Sequence, residues 1–165
     1  AGTATVVRAA GPYKHCSIHP YFTILDEAAA RPIMEEFVEK TKHESGCIWY
    51  GWDKVGDKLF CNEAYVDADA VAAHLENVGP CIEKILNGPA KLEGIAFHGP
   101  AAELEKLKET AANLSAGLLA VDSGVNFMTV ENGPTTNPFT LCTIHPYFTI
   151  IDEAAAKPIM DEFVE

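Results

Sequence analysis

The sequence predicts an α+β domain. Its elements follow the order β-α-β-β-α-β, a ferredoxin-like sheet with both helices on one face, extended by a C-terminal helix and one more strand. Three observations predict it. Strand-like runs rich in β-branched and aromatic residues fall at 15–24, 47–53, 59–66 and 91–99. Apolar residues at helical spacing follow the first and third of these runs. The second and third runs are separated only by Val55-Gly56-Asp57-Lys58, a hairpin signal with Gly56-Asp57 at its tip.

Taken in order, His15–Ile24 alternates, so Ile18, Phe22 and Ile24 share one side and His19, Tyr21 and Thr23 the other. The helix after it places Ala30, Ile33, Met34, Phe37 and Thr41 on one stripe. Pro32 suits a first helical turn, which makes the preceding "DEAAA" a lead-in turn. "HESGC" turns the chain into strand two. Strand three ends at Val66, and Asp67 or Asp69 caps a second helix, "AVAAHLENV". Pro80 starts a separate short helical piece, "CIEKIL", closed by Gly88. After strand four, Gly99-Pro100 opens a helix with Leu104, Leu107, Ala111 and Leu114 as its stripe. "VNFMTV" at 125–130 reads as the extra strand.

The chain repeats itself. Residues 16–39 and 142–165 match at 20 of 24 positions, with an offset of 126 residues. That offset is the size of a domain, so it reads as a tandem duplication rather than a short-period solenoid. The expected organisation is one complete domain at 12–132. Residues 133–165 then form a linker with the first strand and helix start of a second, truncated copy.

Composition narrows the function. Of 165 residues, 48% are apolar, enough for a substantial core. A net charge of −12 argues against nucleic-acid and anionic-membrane partners. Residues 132–151 lack formal charge, but Pro134, Pro138 and Pro146 rule out a continuous membrane-spanning helix. No targeting segment is readable, so no compartment is assigned. The five cysteines (Cys16, Cys47, Cys61, Cys81 and Cys142) form no CxxC pair and no zinc-like cluster with histidine. Buried free thiols fit them, and fit a reducing compartment. No metal site is expected.

The segment "ESGCIWYGW…KLFCNEAYVDADAVAAHLENVGP" resembles the antibiotic biosynthesis monooxygenase (ABM) type of domain. The points of resemblance are Gly46-Cys47 opening strand two, Glu63-x-Tyr65 ending strand three, and "VAAHL" with His74 in the next helix. Tyr65 stands where the family usually has tryptophan, and Val71 where it more often has a small residue. The resemblance covers about residues 14–98. It implies a dimeric α+β barrel, in which the sheet pairs face to face with a second sheet. That second sheet would come from another copy or from the chain's own second repeat. It also implies oxidation of small aromatic molecules without metal or flavin, although some relatives cleave haem and others degrade or isomerise small molecules.

Such chemistry needs a base, an aromatic wall and a dry cavity. The candidate catalytic residues are His74, Glu63 and Tyr65, with His19, Tyr21 and Trp49 lining the cavity. His19, Tyr21, Glu63 and Tyr65 are expected together on the sheet face away from the helices. Asn62 falls on the opposite parity. No cofactor is expected. Non-covalent haem on His19, His74 or His98 is the alternative, and the absence of CxxCH excludes covalent haem. Two functions stay open: a cofactor-independent monooxygenase or binder of small aromatic molecules, and a non-catalytic subunit that uses the sheet for assembly in a larger complex.

Overall fold

The computed structural model describes residues 14–121. Seven strands form one sheet: β1 (Cys16–Ile18), β2 (Tyr21–Ile24), β3 (Cys47–Val55), β4 (Lys58–Tyr65), β5 (Ala90–Gly94), β6 (Ala96–Gly99) and β7 (Gly117–Ala120). Four helices accompany them: α1 (Glu27–Thr41), α2 (Ala68–Leu86), α3 (Ala101–Lys106) and α4 (Lys108–Leu114).

The ferredoxin-like order holds. β1 and β2 act as one strand, interrupted at His19-Pro20 because proline has no N–H to give the ladder. Sheet bonding carries on across the break, from His19 N–H to the Ala96 carbonyl and from Cys61 N–H to the Pro20 carbonyl, both 3.0 Å. β4 runs antiparallel to β1, β2 and β3. β2 also pairs with β5, and β1 with β6, so Ile95 marks a matching break in the fourth strand.

Helix α1 begins earlier than expected. The Asp26 carboxylate accepts a hydrogen bond from Ala29 N–H at 3.1 Å, making Asp26 the N-cap. "DEAAA" is therefore the cap and first turn, and Pro32 lies inside the helix. The stripe itself is as read: Ala30, Phe37 and Thr41 are buried, with Ile33 and Met34 half-buried.

Helix α2 is also longer than expected, and it passes through Pro80 without ending there. Its buried positions Val71, His74, Val78, Cys81 and Ile85 keep helical spacing across the proline. A proline inside a helix costs about 3 kcal/mol. Burying Val78 and Ile85 contributes roughly 1.5–3 kcal/mol each, so packing prevails. Asp67 is the N-cap, accepting from Ala70 N–H at 2.9 Å. Glu103 of α3 adds a second acceptor at this helix start, for Ala68 N–H at 3.1 Å.

The predicted C-terminal helix is two helices, divided at Leu107. Leu104, Leu107 and Ala111 are buried as its stripe required. Ser115, in the left-handed region at φ 53°, ends α4. A strand not anticipated from the sequence, β7, runs parallel to β6. The expected strand at 125–130 and the second repeat at 133–165 lie outside the described residues.

The core fills the space between sheet and helices in two clusters. One gathers Ile18, Tyr65, Val71, Phe97 and Leu104, and the other Phe22, Phe37, Leu59, Val78 and Ile85. Tyr50 packs against both. Among the described residues, no helix is long and apolar enough to cross a membrane.

Candidate functional site

The strand register overturns one expectation. Ile18 stands directly opposite Glu63, and Cys16 opposite Tyr65. Residues directly opposite in an antiparallel pair share a face. Glu63 and Tyr65 therefore lie with Ile18 on the helix-covered side, apart from His19 and Tyr21. Both are buried, at 5% and 0% exposure.

Helix α2 brings His74, 2% exposed, onto the same spot. Its Nε2 lies 3.0 Å from Glu63 Oε2. Its Nδ1 lies 3.0 and 3.2 Å from the two carboxylate oxygens of Glu44, in the turn after α1. The Tyr65 hydroxyl donates to the same Glu63 Oε2. Asn77, one helical turn beyond His74, donates from Nδ2 to Glu44 Oε1 at 2.6 Å. The Tyr65 and Tyr50 rings flank the imidazole at centroid distances of 4.9 and 5.6 Å. The three catalytic candidates named from sequence thus meet in one buried cluster.

The electrostatics follow from burial and charge. Burial opposes a charge on His74, but the carboxylates of Glu63 and Glu44 outweigh it and raise its pKa above the ordinary 6.5. Burial first, then the Glu63 carboxylate, raises the Tyr65 phenol far above its usual range, so it remains a neutral donor. The Cys47 thiol is pushed up to about 12 by burial and then by Glu44 and Glu63. Cys61 is raised in the same way, burial first. The four described cysteines are free and buried, as the sequence suggested. High thiol pKa values make Cys47 and Cys61 poor nucleophiles.

Glu63 and His74 are among the residues that line a cavity between sheet and helices. Its volume is about 60 Å³. That is several times what one water needs. Its other walls are largely apolar and include Phe22, Phe37, Tyr50, Trp52, Val78 and Ile82. Leu86, which is exposed, also lines it. The Trp52 indole N–H is buried with no hydrogen-bond partner among the described residues. A buried donor of this kind usually has a partner, and Trp52 is one of the residues that line the cavity.

His19, Tyr21 and Trp49 do not line this cavity. They belong to the outer sheet face. There His19 Nε2 meets Ser17 Oγ at 2.9 Å, and its Nδ1 faces Asn62 Oδ1 at 3.4 Å. Tyr21 stacks on Phe60 with centroids 6.0 Å apart, and the two rings are 43% and 39% exposed. Trp49 pairs with Ala64, whose parity is that of Asn62 and Phe60.

Haem does not fit the inner cavity. Both ring nitrogens of His74 are engaged by carboxylates, which leaves neither for haem iron. Among the described residues, no group of three or more His, Cys, Asp or Glu is arranged to hold a metal ion.

Sequence reading missed Glu44, Tyr50, Trp52 and Asn77 as parts of the site. Tyr50 and Trp52 carried a signal, because strand alternation puts both on one face. Glu44 carried none; its role depends on a helix 30 residues away.

No family model and no curated protein matches the chain. Solved structures do. MupZ from Pseudomonas fluorescens is similar with a TM-score of 0.64 and 29% identity, over 73% of this chain and 95% of MupZ. SnoaB, a cofactor-independent oxygenase from Streptomyces nogalater, scores 0.45 with 13% identity over 50% of this chain and 90% of SnoaB. A Chloroflexus aurantiacus protein provisionally assigned as an antibiotic biosynthesis monooxygenase scores 0.45 with 15% identity, over 53% and 94% of the two chains. Neither of the latter two carries the functional reading below.

Proposed function

We propose that this chain is an ABM-type enzyme acting on a small, neutral, largely apolar molecule in the cavity between sheet and helices. One observation supports it above the others: a buried carboxylate–imidazole pair, Glu63–His74, 3.0 Å apart, lines an otherwise apolar space. Burying such a pair is costly. Its position lets Glu63 take a proton from a weakly acidic O–H or C–H, while Trp52 donates to an acceptor on the same molecule. The aromatic wall of Phe22, Phe37 and Tyr50 would hold a ring. Tyr65 and His74 would steady the Glu63 carboxylate. A substrate anion formed this way in a dry pocket is open to molecular oxygen, the cofactor-free route that the family resemblance implies. An anionic substrate is disfavoured, because the Glu44–His74–Glu63 group is itself net negative.

Oxygen uptake with a panel of neutral phenols tests this. Wild type should consume oxygen with at least one phenol, and Glu63→Gln should lose about 10²–10⁴-fold in rate, the usual contribution of a general base. A flat trace across the panel would favour a second reading, a non-catalytic assembly subunit. The solvent-facing Tyr21–Phe60 stack supports that reading. So does the repeated sequence, which supplies a candidate partner strand. In either case we propose that a second sheet, from another copy or the second repeat, covers the outer face.

A further inference from the structure

We propose that Glu44 is a positioning residue of this cavity: acting through His74, it decides which oxygen of Glu63 is offered to a bound molecule. The inference rests on the cavity being the working site.

The geometry is directional. Glu44 sits in the turn between α1 and β3, fixed by backbone bonds from its own N–H to the Thr41 carbonyl at 3.0 Å and from Cys47 N–H to its carbonyl at 3.3 Å. Asn77 latches its carboxylate from α2. Lys40, the nearby cation, donates to the Asn77 carbonyl at 3.2 Å. Both Glu44 oxygens meet His74 Nδ1.

A neutral imidazole has one donor and one acceptor nitrogen. Between two carboxylates it would set a lone pair against one of them. With Glu44 present, the ring carries a proton on each nitrogen and donates at both ends. Glu63 Oε2 then receives two strong donors, His74 Nε2–H and the Tyr65 hydroxyl. Glu63 also takes a weak hydrogen bond from the Cys61 thiol. Both strong donors meet Oε2, which leaves Oε1 as the oxygen more open to a ligand. The groups facing His74 are Glu44 from the turn, Glu63 and Tyr65 from β4, and Tyr50 from β3. Its raised pKa agrees with two anionic neighbours outweighing burial.

The test is the ring of His74 followed by nitrogen NMR in the whole chain, without ligand. In wild type both ring nitrogens should be protonated at pH 7. In Glu44→Gln, which keeps shape and removes charge, the ring's proton affinity should fall about tenfold or more. Glu44→Asp should retain most of it. Asn77→Leu, which unlatches Glu44 and gives up a long bond to the Lys40 carbonyl, should shift it less in the same direction and serves if Glu44→Gln does not fold. An unchanged His74 titration in Glu44→Gln, or in a folded Asn77→Leu standing in for it, would overturn the proposal. Because no ligand is involved, that failure is separate from failure of the cavity reading, which would appear as wild-type protein that binds no small molecule.

Discussion

Replacing His74 with leucine is expected to destabilise the fold by about 3–5 kcal/mol at neutral pH, the usual effect of removing one partner from a buried ion pair. The melting temperature should fall on the order of 10–20 °C for a domain of this size. The reason is specific. Leucine fills much of the space but leaves Glu63 buried with the Tyr65 hydroxyl and the weakly donating Cys61 thiol, and leaves Glu44 to Asn77. The pH dependence identifies the cause. His74 has a raised folded pKa, so in wild type its contribution is fully present below 6.5 and is lost as pH rises through the folded value. The variant's loss should therefore be largest below 6.5 and should narrow as pH rises through the folded value, where wild-type His74 gives up its charge. Urea unfolding at several pH values measures both.

Phe97→Ala should cost a similar amount, about 3–5 kcal/mol, by another route. Phe97 is 0% exposed and sits opposite Ile18, in the cluster with Tyr65, Val71 and Leu104. Alanine there loses transfer free energy and leaves a void that a close-packed interior closes only in part. No charge is involved, so the loss should be nearly constant between pH 5 and 8, unlike that of His74→Leu. Since Phe97 does not line the cavity, His74 should titrate as in wild type. Equal losses with different pH profiles separate packing from electrostatics.

The order of strands and helices was readable because period-two and helical patterns alternate cleanly along 15–99. The hairpin was readable from Gly56-Asp57, and Gly56 does take a positive φ of 59°. Proline misled twice. Pro32 and Pro80 looked like boundaries, but both are tolerated within helices whose buried stripes continue past them. The site was legible in its chemistry and not in its placement. Glu63, Tyr65 and His74 were recognisable, yet alternation along β4 tells which residues share a face and leaves open which face it is. Leu59 and Cys61, apolar and of the same parity, pointed to the core side. The register with β1 decides it. Gly46 shows the same limit. An added Cβ would come within 2.5 Å of the Ala70 Cβ, so a small residue is needed where β3 begins beneath α2. That contact is set only by folding, as is the Glu44–His74 pair.

Chemical-shift mapping of the whole chain during titration with a neutral phenol tests the location of the site most directly. If the cavity between sheet and helices is the working site, shifts should concentrate on His74, Val78, Ile82 and the Trp52 indole N–H, with Tyr21, Phe60 and His19 unmoved. Saturable shifts confined to Tyr21, Phe60 and His19, with the Trp52 indole unchanged, would contradict it and move the site to the outer sheet face.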